Sequence, residues 1–263
     1  MSETSYERAG AVAVVTMTAP PNLFTPALGT QLVAAVGRAR DEGARALVLQ
    51  ADGPVFCGGA DVNLFKDRSE ADARTMLTEA YAAIHALEDA PFPVLAAVQG
   101  QCLAAGLELA LACDLVVAAE GTLFSQVEAR IGAATFLGGV NRLVERCGPA
   151  RAREIVFGAD FHDAATFERW NVVNRVVPAA ELRSSALAWA QRLAAGPTAA
   201  HAVTKRLVQA TLAQGARAAD AQVLEVSPAL FESRDLQNAV GLLLSQGVRK
   251  FMAQHEDVVF EGR

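Results

Sequence analysis

What most constrains this chain is an alternation that stops. Short runs rich in Val, Leu and Ala alternate with segments of helical periodicity as far as about residue 177, and beyond Glu181 only helical patterning remains. Ala11–Met17, Ala46–Leu49, Val94–Val98, Leu115–Ala118 and Asn171–Val177 read as strands. Between them, Thr25-Pro26 has the form of an N-cap followed by Pro at the first helical position, and Leu28, Leu32 and Val36 then recur at four-residue spacing up to a terminating Gly43. Ser69 caps a helix predicted over 70–88, with Leu77, Tyr81, Ile84 and Leu87 on its buried side and Pro91 and Pro93 beyond its end. A short helix is predicted over 104–112, two more over about 139–147 and 149–158, and the helical tail includes 198–213 and about 235–254. Strands that alternate with helices and then cease describe an α/β core with a helical C-terminal extension.

Composition narrows the function. The 263 residues are 52% apolar, which is ample for a large core and excludes a disordered chain. With 23 Lys+Arg against 29 Asp+Glu the net charge is −6, which argues against a general nucleic-acid binder. The acidic excess lies entirely in residues 1–196, and residues 197–263 are charge-neutral with seven of each sign. The N-terminus has no basic segment followed by an apolar run, so a cytoplasmic protein is expected. The most apolar stretch, residues 91–119, is interrupted by Gln99, Gly100, Gln101, Glu108 and Asp114, a load that fits a buried core better than a membrane span. Cys57, Cys102, Cys113 and Cys147 form no CxxC pair, and neither they nor His85, His162, His201 and His255 have metal-ligand spacing. Four reduced thiols and no metal are expected.

Three stretches can carry chemistry. In Phe56-Cys57-Gly58-Gly59-Ala60-Asp61-Val62, paired glycines follow a strand and a turn and let another molecule approach the main chain. Exposed amides at such a turn can hold an anion or a developing oxyanion, although an ordinary glycine-rich turn is the simpler reading. In the second stretch, Gly100 to Asp114, small residues open a helix and Glu108 is the only charge between Pro93 and Cys113. Ala104 and Ala105 lie four and three residues before Glu108 and so share its face, next to the unpaired amides of the helix start. A buried Glu108 needs a partner or a raised pKa, which suits acid–base work; the alternative is a Glu that reaches the surface or pairs with an Arg. In the third, Phe124-Ser125-Gln126-Val127-Glu128-Ala129-Arg130-Ile131-Gly132, Glu128 read alone is a solvated loop carboxylate beside Arg130. Cys57 has no positioned base, and Ser125 lacks a nucleophile-elbow context.

Taken in order and spacing, these stretches resemble the enoyl-CoA hydratase/isomerase (crotonase) family. The resemblance extends over essentially the whole chain, from Asn22-Leu23-Phe24 to Phe260-Glu261-Gly262-Arg263. It implies a crotonase-like spiral of ββα turns over residues 1–196 and a helical region over 197–263 that supports a homotrimer or a hexamer. It implies an acyl-CoA thioester substrate, with CoA belonging to the substrate and no separate cofactor. Ala60 and Ala105 match the two backbone N–H donors of the family's oxyanion hole, and Glu108 and Glu128 match the two glutamates of its hydratases. The implied reaction is syn hydration of a trans-2-enoyl-CoA to a 3-hydroxyacyl-CoA. Isomerisation, dehydration, decarboxylation and non-catalytic acyl-CoA binding are the alternatives on the same scaffold. Candidate substrate or CoA contacts are Phe24, Ala60, Asp61, Val62, Leu103, Phe136, Lys250 and Phe260, the last two reaching the site across subunits. The chain departs from the family's usual pattern at Ala104 and Ala105, where glycines are common, and at Val127, where Pro is usual. Thr135-Phe136-Leu137 replaces Pro-Gly-X, and Asn238-Ala239-Val240 replaces an acidic-Gly pattern.

Overall fold

In a computed structural model, residues 2–253 and 258–262 are described. The main sheet has six strands: β1 (Thr4–Ala9), β2 (Val12–Met17), β3 (Ala46–Ala51), β4 (Val94–Val98), β6 (Leu115–Ala119) and β9 (Arg175–Val177), in the spatial order β1-β2-β3-β4-β6-β9. Only the β1–β2 hairpin is antiparallel; every other pair is parallel. A second sheet of three strands, β5 (Gln101–Leu103), β7 (Leu123–Ser125) and β8 (His162–Asp163), lies in the order β5-β7-β8.

Both faces of the main sheet are covered, which is why its central strands are uninterrupted apolar runs. Val15, Leu49, Ala96 and Val116 form one cross-strand row. They belong to a core shared with α1 (Pro26–Asp41), α2 (Glu70–Glu88) and α3 (Ala105–Ala112). The neighbouring row, Val14, Val48 and Leu95, faces the other way. It packs on Leu182, Ala186, Ala190 and Ala194 of α6 (Leu182–Ala195).

The chain repeats a two-strand turn. β4 gives a strand to the main sheet, β5 one to the small sheet, and α3 follows; then β6, β7 and α4 (Gly139–Gly158) do the same one layer on. A parallel backbone β-bridge between residues Cys57 and Cys102, whose thiols are free, extends the small sheet back to the preceding turn. This repeated turn is the one that the family resemblance implies, with α5 (Ala164–Arg169) and β9 following the last turn.

The predicted caps are present: Thr25 accepts from the Leu28 N–H and Ser69 from the Asp72 N–H. The chain leaves helical geometry at Gly148, before Pro149, and so divides α4 into the two helices predicted. Two predicted elements need correction. Asn171–Val177 is strand only over Arg175–Val177, because residues 171–173 close the end of α5 through N–H bonds to Glu168 and Phe167 carbonyls. The helix predicted over 235–254 is two helices, α9 (Arg234–Gln246) and α10 (Val248–Ala253), separated at Gly247. Thr4–Ala9, unassigned from the sequence, forms an edge strand paired antiparallel with β2. His255 lies outside the described residues.

The helical tail is stitched to the core by a few long side chains. Arg45 bonds Thr198 Oγ1 and the carbonyls of Gly196 and Phe260. From α7 (Thr198–Gln214), Lys205 pairs with Asp114 at 2.8 Å. Tail helices α7 and α8 (Ala216–Val226) bury little of their own, and Leu212, Leu224, Phe231, Leu244 and Met252 are all exposed. Among the described residues no helix is long and apolar enough to cross a membrane.

Candidate active site

The site is built where two turns of the spiral meet. Phe24 donates its N–H to the Gly59 carbonyl and accepts from the Asp61 N–H, so the Gly58-Gly59-Ala60 turn runs beside the start of α1. The same turn packs on the start of α3. Gly106 lies so close to it that a Cβ there would sit 2.6 Å from the Cys57 carbonyl oxygen. Ala104, which opens α3, has φ 48° and ψ −119°, a conformation that strongly favours glycine. Its N–H is held by the Ser125 carbonyl, and its own carbonyl accepts from the Glu108 N–H. Among the described residues, the N–H groups of Ala60 and Ala105 have no backbone acceptor, and both residues line one cavity.

That cavity holds about 420 Å³ and is mostly apolar. Phe24 and Ala60 form one side, Val62 and Phe65 flank it, and Leu77 and Ala80 of α2 close it. Glu108 and Glu128 both face into it, together with Phe136.

Glu108 is 2% exposed. Both of its hydrogen bonds fall on Oε1, from the Leu137 and Gly139 N–H groups at 2.8 Å each. It therefore neither reaches the surface nor pairs directly with an arginine. Burial pushes its carboxyl up to about 7, against the opposing pull of the two N–H donors and the more distant charge of Arg142. Glu128 is 7% exposed, which corrects the solvated-loop reading. It sits in a single 3-10 turn, Val127–Ile131, and Arg130 leaves it to bond the Ala159 carbonyl. Burial pushes Glu128 up to about 7 as well, helped by the negative charge of Glu108. Gln126, fully buried, sets the end of its side-chain amide 2.7 and 3.0 Å from the two Glu128 oxygens, and the end that satisfies an ionised Glu128 there is the nitrogen, assigned as the donor from this hydrogen-bond pattern. Gln126 went unnoticed in the sequence, because nothing in its local pattern distinguishes it from a loop glutamine.

The remaining candidates divide clearly. Phe24, Ala60, Val62, Ala105, Glu108, Glu128 and Phe136 come together around the cavity. Asp61 lies outside its lining because its carboxylate caps the following turn through the Asn63 N–H. Leu103 lies outside because it is a small-sheet residue paired with Ser125. Lys250 borders a separate surface groove on α10, and the Phe260 carbonyl is held by Arg45. Neither reaches the cavity within one chain. Burial raises the Cys57 thiol to about 12, so it is no nucleophile. Among the described residues no cluster of His, Cys, Asp or Glu is placed to hold a metal ion.

An apolar cavity with two unpaired N–H groups and two carboxyls that titrate near neutrality is equipped to stabilise an anionic oxygen while moving protons. Known proteins carry the same architecture. A crystal structure of an enoyl-CoA hydratase subunit from Geobacillus kaustophilus superposes with a TM-score of 0.89 at 27% identity, covering 99% of this chain and 98% of that one. The sequence profile of the enoyl-CoA hydratase/isomerase family matches residues 7–257, and the chain belongs to that family. A Rhodobacter capsulatus protein described as a probable enoyl-CoA hydratase is 35% identical over 245 residues, covering 92% of this chain and 94% of its own. A Dictyostelium discoideum protein described as a probable mitochondrial enoyl-CoA hydratase is 30% identical, covering 81% and 79%.

Proposed function

We propose that this protein hydrates a trans-2-enoyl-CoA to a 3-hydroxyacyl-CoA. One observation carries the reading: two buried carboxyls, both pushed to about 7, face the same apolar cavity as the two unpaired N–H groups. In the proposed step, ionised Glu108 takes a proton from water as the water oxygen bonds to C3. The C2–C3 π electrons move toward the thioester, and the carbonyl oxygen gains negative charge against the Ala60 and Ala105 N–H groups. Glu128, protonated, delivers its proton to C2 as that charge returns. Addition of both groups from one side of the double bond gives syn hydration. Each N–H donor contributes about 3–4 kcal/mol in comparable oxyanion holes.

Phe24, Ala60, Val62 and Phe136 are the proposed contacts to the thioester substrate. Lys250 and Phe260 reach a CoA site only from a neighbouring subunit, and residues 197–263 are the proposed trimerisation region. The exposed apolar side chains of the tail support this. Light scattering tests it, and a clean monomer would contradict it. The four thiols, none of them paired, fit the cytoplasm as the proposed compartment.

An enoyl-CoA panel from crotonyl-CoA upward, with mass-resolved products, tests the reaction. Loss of the enone absorbance with gain of one water is expected, and both should slow sharply in Glu108→Gln and Glu128→Gln. A shifted double bond without added water would make the protein an isomerase. Thioester binding without turnover of any enoyl-CoA would make it a binding protein.

A further inference from the structure

The Glu108 carboxylate is held by a loop that is itself held from behind. Leu137 and Gly139 point their N–H groups at Glu108 Oε1. On the other side of that peptide segment, Arg142 Nη1 donates to the carbonyls of Leu137 and Gly138 at 3.2 Å each. The same guanidinium is anchored to the last residue of α2, with Nε 2.7 Å and Nη2 2.6 Å from Glu88 Oε1. Both side chains are shielded, at 11% exposure for Arg142 and 27% for Glu88. The packing is close: Gly138 has φ 81°, and a Cβ on it would come within 2.3 Å of Arg142 Nη1.

We propose that Arg142, fixed by Glu88, is a positioning residue for Glu108. It grips the carbonyl edge of residues 137–138 so that the N–H edge of 137 and 139 is presented to the carboxylate. A guanidinium suits this task because its planar fork serves two carbonyls and a carboxylate at once, which an ammonium cannot do in one geometry. Its positive charge also favours the ionised form of Glu108, opposing burial. The coupling is thus mechanical through the loop and electrostatic through space. The inference rests on the hydratase reading only where turnover is measured.

The other titratable groups near the pair are accounted for. Cys57 from the glycine turn, Tyr81 from α2 and Glu128 from the 3-10 turn lie within the field of Glu108. Glu145 and Arg146 on α4 lie within that of Arg142. None of them takes part in hydrogen bonds to the Leu137 or Gly138 carbonyls.

The test uses the full chain carrying Arg142→Met, Arg142→Lys or Glu88→Gln. Three readouts are taken: steady-state hydration against pH, thermal stability, and an infrared titration of the Glu108 carboxyl assigned by subtracting Glu108→Gln. For Arg142→Met, kcat is expected to fall about 10–100-fold with KM changed less than about threefold, the range of a slightly misplaced catalytic group. The Glu108 titration and the acid limb of the rate profile should move together to higher pH. Arg142→Lys should restore the titration but only part of kcat, because the charge returns without the fork. Glu88→Gln should lower kcat less than Arg142→Met by loosening the guanidinium, and should leave the Glu108 titration where it is or move it slightly to lower pH, because a negative charge is lost while that of Arg142 remains. An unmoved titration in folded Arg142→Met, or activity loss that merely follows lowered thermal stability, would overturn the proposal. If the wild type hydrates no enoyl-CoA, the hydratase reading fails, and the infrared arm still decides this one.

Discussion

Glu108 and Glu128 reach the same cavity and the same titration range by opposite routes. Glu108 stands on a regular helix, and its hydrogen-bond donors come from residues 29 and 31 positions downstream. Glu128 stands on a single 3-10 turn, and its donor, Gln126, is two residues away. The helix seat is rigid by its backbone but needs a distant loop to complete it. The turn seat is complete locally but owes its burial to the helices and strands around it. Desolvation dominates at both, and different polar partners set how far each side chain can move.

The hardest way to break the comparison is to remove each carboxyl in turn. Glu108→Gln and Glu128→Gln are each expected to lower kcat/KM by about 10²–10⁴-fold, the usual worth of general acid–base groups. An enoyl-CoA hydration assay measures this, and near-wild-type turnover in either variant would remove that residue from the mechanism. The pH profile separates their roles. A base that must be ionised and an acid that must be protonated, both titrating at about 7, give a bell with its maximum near pH 7. A profile flat from pH 5 to 9 would contradict that assignment.

A smaller effect sharpens the local side of the contrast. Gln126→Leu keeps the volume but removes the donor to Glu128, so a loss of about tenfold in kcat is expected for one charge-assisted hydrogen bond. The basic limb should move to higher pH, because losing a donor disfavours the carboxylate. An unmoved basic limb would show that Gln126 only fills space.

Stability should change in the opposite sense from activity. Glu108 titrates higher in the folded chain than in the unfolded one, so the folded form binds more protons between about pH 4.5 and 7. Its relative stabilisation is complete below that window and is lost as pH rises through 7. Glu108→Gln should therefore raise the melting temperature by roughly 2–5 °C at pH 8.5 and by less at pH 4.5, read by calorimetry. The smallest expected effect is Ala104→Gly. Relieving the positive φ offsets the added flexibility of glycine and should raise the melting temperature by roughly 2–4 °C, with turnover kept within about twofold. A lowered melting temperature would show that the Ala104 methyl contributes more packing than strain.

Much of the helix seat was legible in the sequence. The pattern of 91–119 placed that helix inside the core and singled out its one Glu as a candidate buried carboxylate, and the structure settled that it is buried rather than reaching the surface. The turn seat was legible only through family resemblance, since -Gln-Val-Glu-Ala-Arg- has no periodicity and its Arg reads as a surface partner. Arg130 in fact bonds the Ala159 carbonyl, 29 residues away, a pairing that sequence proximity conceals. The short strands β5, β7 and β8 escaped for a similar reason. At two or three residues each they carry no periodic signal, and their pairing gives them their identity.

By itself the sequence determined the alternation of strands and helices, the capped starts of α1 and α2, and the point beyond which only helices follow. Those features are set by periodicity, capping chemistry and apolar runs within a few residues of one another. Only the tertiary structure decided that Glu108 and Glu128 share one cavity, that Leu137 and Gly139 supply the Glu108 hydrogen bonds, and that Arg142 and Glu88 stand behind them. The physical reason is that desolvation and hydrogen-bond geometry depend on which distant segments the fold brings within a few ångströms, and no local pattern encodes that.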